Sequence, residues 1–225
     1  MNYNVKDIDE YIVPEHPYFM KGHLATAIFL ISFIGLPIAV CDPFTPYLFA
    51  ILLPLVIIID LFGIILMFDV QRFQKIYILY VGMFSLATSI ASFLAFIKFI
   101  YYILKNNSAV LLVVSVCIYI LIFIIYYVIL LKALRNGCFS SKSRKKKKGV
   151  GVVAGLSGAG VFAGKLLIHS TSYQVYMVVF ALVYLFLSYI MILGTHNVYK
   201  YYLIKKYEPY VKVFELPKKK KRKGE

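Results

Sequence analysis

Gly149-Val-Gly-Val-Val-Ala-Gly-Leu-Ser-Gly-Ala-Gly-Val-Phe-Ala-Gly-Lys165 follows directly on the basic run Lys142-Ser-Arg-Lys-Lys-Lys-Lys148, and its apolar character continues to Ile168. On a helix, Gly151, Gly155, Ala159 and Ala163 recur every four residues and form a smooth ridge, and Gly160 and Gly164 repeat the spacing. Helices in lipid gain little by hiding apolar surface, so they associate by close backbone approach along such small-residue faces. The expectation is a spanning helix over 150–168, with its ridge against another helix of the same chain or of a second copy.

Outward from this stretch, the chain is 61% hydrophobic and only 16% charged over 225 residues. Several uncharged runs reach the roughly 20 residues that one crossing needs. A soluble domain would interleave polar residues at helix or strand period. The composition predicts an all-α, polytopic integral membrane bundle of six helices, at about 24–40, 47–68, 76–97, 109–131, 150–168 and 173–195. Residues 1–22 form an N-terminal segment with Val5, Ile8 and Ile12 on one face, 23–198 the membrane domain, and 199–225 a basic tail. Cys41-Asp-Pro-Phe-Thr-Pro46 reads as a tight turn that makes a hairpin of spans one and two.

The net charge of +15 is uneven: eight Lys/Arg lie in 132–148 and ten in 200–223, whereas the first 22 residues hold four acids and two bases. Cytoplasmic loops carry the excess of Lys and Arg. Six spans with both ends inside satisfy that rule, and Lys98, Lys105 and Lys165 then lie near the outer face, where long side chains reach water. The clusters Arg144, Lys145, Lys146, Lys147 and Lys148, and Lys218, Lys219, Lys220, Lys221, Arg222 and Lys223, are expected to meet anionic headgroups or a partner, at about 1 kcal/mol per residue near the surface. A nucleic-acid partner is not expected, because such a basic face belongs on a folded domain. Arg222-Lys223-Gly-Glu225 resembles a dibasic retrieval signal to the endoplasmic reticulum, should the source be eukaryotic.

Catalytic patterns are sparse. Cys41, Cys117 and Cys138 show no C-x-x-C spacing, so no metal or disulfide framework is expected. Gly160-Val-Phe-Ala-Gly164-Lys165 lacks the first glycine and the Ser/Thr of a phosphate loop. Gly155-Leu-Ser157-Gly158 resembles the G-x-S-G segment of rhomboid intramembrane proteases, six-span proteins with a Ser–His pair, and His196 ends the last span. That resemblance implies a remote protease reading on Ser157 and His196. It departs from the rhomboid pattern in lacking a span between the two helices, an oxyanion His or Asn in span two, and a Trp-Arg pair.

Asp60 stands deep in span two, where a carboxylate is costly and faces a bundle interior or a pathway. Counted from the inner span ends, Ser85, Ser157 and Ser188 fall within about a turn of its depth. Asp60 is therefore expected to point inward and touch one of these serines, with Ser85 the foremost. Across its whole length the chain, with Tyr/Ile/Lys-rich spans, no Trp and a lysine tail, resembles small uncharacterised membrane proteins of low-GC Gram-positive bacteria, some encoded beside staphylococcal type VII secretion and toxin genes. The resemblance implies a plasma-membrane protein that is a secretion accessory or toxin-immunity factor. The expectation is a non-enzymatic membrane protein without cofactors, acting by helix packing and partner binding. A small proton- or cation-linked transporter or channel using Asp60 is the alternative.

Overall fold

The computed structural model describes Tyr11 and residues 16–40, 45–104, 109–136 and 173–206. These residues form six helices: α1 (Pro17–Val40), α2 (Pro46–Phe68), α3 (Gln74–Leu104), α4 (Ala109–Arg135), α5 (Tyr173–Gly194) and α6 (His196–Lys206). No strand occurs among them. Pro46 opens α2 just after Thr45 in extended conformation, which suits proline because its missing N–H would have no helical partner there. Asp69 closes the turn into α3, accepting the Arg72 amide on its side chain at 3.1 Å.

The helices alternate in direction as a hairpin sequence requires. Ser32 meets Asp60, and Ile28 meets Gly63, so α1 and α2 are antiparallel. α3 and α5 are also antiparallel: Phe99 stacks on Tyr184, Ser89 bonds Ser188, and Ser85 abuts Gly194. α4 and α5 instead run parallel, since Tyr119 lies at the Ser89–Ser188 level, Tyr126 at Leu193 and Tyr127 at Thr195. One end of the bundle therefore gathers the start of α1, the α2–α3 turn, the ends of α4 and α5, and α6. Lys21, Arg72, Lys75, Lys132, Arg135 and Lys200 cluster at this basic end, whereas Lys98 lies toward the other.

The hub is α3, a 31-residue helix whose most extensive contact is with α5. Its small residues explain why. Ala87, Thr88, Ala91, Ser92 and Ala95 are all buried, and Ala181 of α5 is fully buried in the cluster that contains Ala91, Ala95 and Phe99. This is the backbone approach that lipid favours. A second cluster joins α1, α2, α3 and α6 through Leu24, Ile31, Ile59, Tyr80 and Leu203. By contrast α4 exposes much of its apolar surface, including Val113, Ile124 and Val128.

Three sequence expectations change in detail. α1 begins at Pro17 rather than about 24. Span three does not end at Lys98: the helix continues to Leu104, and Lys98 is only 5% exposed. The opening of the expected tail, 199–206, is helical, and Leu203 and Ile204 are buried in the core. The glycine ridge of Gly151, Gly155, Ala159, Gly160, Ala163 and Gly164 lies outside the described residues. So do Val5, Ile8 and Ile12 of the N-terminal face and both basic clusters.

Candidate functional site at the α1–α3–α6 junction

The expected polar layer of Asp60, Ser85, Ser157 and Ser188 does not form as one cluster among the described residues. Asp60 accepts a hydrogen bond from the Ser32 hydroxyl at 2.6 Å. Ser85 donates to the Val81 carbonyl of its own helix at 2.8 Å, which satisfies it locally. Ser188 faces Ser89 instead. No direct hydrogen bond joins Asp60 to Ser85 or Ser188, and the hydroxyl that Asp60 accepts from is that of Ser32. Ser157 lies outside the described residues. The depth count that singles out Ser85 also selects Ser32, eight residues into the expected first span, and the hairpin makes α1 the adjacent helix.

Asp60 retains one buried oxygen, Oδ1, without a hydrogen-bond partner. The Tyr80 phenol, likewise without one, lies within electrostatic range of Asp60. Tyr80 is fully buried, its ring packs edge-on against Phe62 at 5.5 Å, and a Cβ on Gly63 would meet its oxygen at 2.6 Å. Gly63 thus lets α2 pass over the phenol one helical turn from Asp60.

Ser89 is the polar junction of α3, α4 and α5. Its hydroxyl donates to the Ser188 carbonyl at 2.8 Å. Having one proton, it must then accept from the Tyr119 hydroxyl at 2.7 Å. Ser89→Ala should lower stability by about 0.6 kcal/mol, the average for hydrogen bonds between membrane helices, and by no more than about 1.7 kcal/mol. Reversible unfolding in mixed micelles checks it, with Ser85→Ala as the milder comparison.

Where α5 gives way to α6, the carbonyls freed by the break are bonded one by one. Ile192 accepts from the Thr195 hydroxyl at 2.7 Å, and Leu193 from both His196 Nδ1 at 2.6 Å and Tyr126 at 2.7 Å. Gly194 accepts from the Asn197 amide at 3.0 Å, and Thr195 from Tyr127 at 3.1 Å. A helix end needs such partners when it is buried. His196, the histidine of the protease resemblance, is thus engaged in capping α5, and its ring lies 6.2 Å from that of Tyr11. Tyr11 is buried, and that burial, with the phenols of Tyr126, Tyr199 and Tyr127 around it, pushes its pKa upward.

Beside this break lies a half-open cavity of about 220 Å³ between α1, α3 and α6. Its polar lining comes from His23, Thr26, Tyr77, Tyr80, Asn197 and Lys200, and none of the described lining residues is acidic. His23 Nδ1 and the Tyr77 hydroxyl are 3.1 Å apart. The Lys200 ammonium is 5.8 Å from the Tyr11 ring centroid, within cation–π range. None of these groups carried a motif, and only the fold brings 23, 77 and 200 together.

The fold defines an all-helical protein in which four helices are long and apolar enough to cross a membrane. Comparison with protein-family models, with curated proteins and with solved structures gives no match.

Proposed function

We propose that the chain is a six-span protein of the plasma membrane, with both ends in the cytoplasm, that works by helix packing and by binding a membrane partner. A secretion-accessory or toxin-immunity role fits that reading. The parallel run of α4 and α5 supports the span number. A chain that leaves α4 at the basic end and enters α5 at the other has to travel the length of the bundle in between. The lysines and arginines gathered at one end support the orientation by the positive-inside rule.

The observation that carries the packing role is the 2.6 Å bond from Ser32 to Asp60 across the α1–α2 hairpin. A carboxyl in that position ties the hairpin together without an ion pair. The partnerless Oδ1, with the Tyr80 phenol nearby, favours a second reading, a proton or cation site in a small transporter.

Asp60→Asn separates the two. The amide keeps an oxygen for the Ser32 hydroxyl, so folding yield and melting temperature should stay near wild type, whereas Asp60→Leu should lose about 1 kcal/mol. Under the packing reading, the protein's cellular role survives Asp60→Asn. A variant that folds normally yet loses a proton-driven flux in proteoliposomes would put the transporter reading first.

A further inference from the structure

The cavity between α1, α3 and α6 is graded along its length. His23 on α1, Tyr77 on α3 and Lys200 on α6 stand at the basic end. Leu30 and Phe84 lie seven residues farther along α1 and α3, about 10 Å deeper at 1.5 Å per residue. Between them the wall is Ala27, Ile78 and Val81, with Thr26, Tyr80 and Asn197 as its polar members. A cationic and hydrogen-bonding rim above an apolar floor matches an anion carried on an apolar stem. At roughly 30 Å³ per water-sized volume, the cavity has room for about seven. That suffices for the first methylenes of a chain and is too little for a whole lipid.

We propose that this cavity binds one anionic phospholipid, with its phosphate diester at the rim by Lys200 and His23 and the upper part of one acyl chain against Leu30 and Phe84. His23, Tyr77 and Lys200 stand within about two turns of the ends of their apolar segments, so under the membrane reading the rim faces the headgroup phosphates. A free phosphate would satisfy the rim and leave the floor unfilled, so the lipid is the better source of the same chemistry. A zwitterionic lipid offers the same stem but brings its own cation to Lys200. This inference rests on the membrane reading above and needs neither the number of spans nor the identity of the cytoplasmic face.

The test uses the purified full chain in detergent, titrated with dioctanoyl phosphatidylglycerol or dioctanoyl phosphatidylcholine and read by native mass spectrometry. The wild type should retain one phosphatidylglycerol in preference to phosphatidylcholine. Lys200→Gln should weaken phosphatidylglycerol about fivefold, which corresponds to about 1 kcal/mol for one basic residue, and leave phosphatidylcholine unchanged. Val81→Phe, which fills the wall and keeps every basic residue, should weaken both lipids. Ala27→Leu fills the cavity from α1 should Val81→Phe fail to fold. Equal phosphatidylglycerol retention by wild type and the filled variant would overturn the proposal and assign the lipid to the basic clusters. Displacement of the lipid by millimolar inorganic phosphate would overturn it in favour of a soluble anion. A chain that does not partition into phosphatidylcholine vesicles at all would refute the membrane reading itself, a separate outcome.

Discussion

Gly82→Val should be the most damaging single substitution at a described glycine, with little folded protein recovered. A Cβ at this position would lie 2.6 Å from the Val198 amide nitrogen, 2.7 Å from Val198 Cγ2 and 3.1 Å from the Asn197 carbonyl carbon. Two of these are backbone atoms of α6, which no rotamer change can move aside. Overpacking costs about 1–3 kcal/mol where side chains can give way and more where they cannot, so a loss of about 3 kcal/mol or more is expected. Gly22→Ala is the control, since a Cβ there meets nothing within 4 Å. Monodisperse recovery by size exclusion and thermal unfolding should separate the two variants sharply. Similar behaviour would mean that α6 does not rest on α3.

Ala91→Leu should be nearly as severe. Ala91 is fully buried, in one cluster with the equally buried Ala95 of α3 and Ala181 of α5. The added side chain has nowhere to go without separating these helices, and the Ser89 bonds to Ser188 and Tyr119 one half-turn away would stretch with them. A loss of about 2–3 kcal/mol follows from overpacking, with weaker α3–α5 crosslinking between cysteines placed at 85 and 194. Val183→Leu enlarges a 43% exposed position of α5 and should be silent in the same assays.

The sequence is most legible where physics acts along the chain. Long apolar runs in 46–68, interrupted by Asp60 alone, and in 109–131 define α2 and α4, because only a helix satisfies its own backbone in lipid. The two prolines at 43 and 46 mark the α1–α2 turn. The small-residue face Ser85, Thr88, Ser89, Ala91, Ser92 and Ala95 is visible in sequence as well, and it is the face α3 buries. Partner choice is less legible, because it depends on which helices become neighbours. Asp60 and Ser85 share a depth, yet the hairpin delivers Ser32 first and Ser85 is satisfied by its own backbone. The junction cavity escapes sequence reading for the same reason: His23, Tyr77 and Lys200 lie on three helices and share no local pattern. Boundaries also shift where charge is misread as an end, since Lys98 is accommodated inside α3 and α6 continues helically past Gly194.

Under the proposed six-span topology the chain between α4 and α5 crosses back over the membrane. Replacing Cys41, Cys117 and Cys138 by serine and placing single cysteines at 145, 172 and 220 allows it to be tested with a membrane-impermeant maleimide. In intact cells, position 172 should label, whereas 145 and 220 should label only after permeabilisation. Labelling of 145 and 172 from the same side would contradict the six-span account.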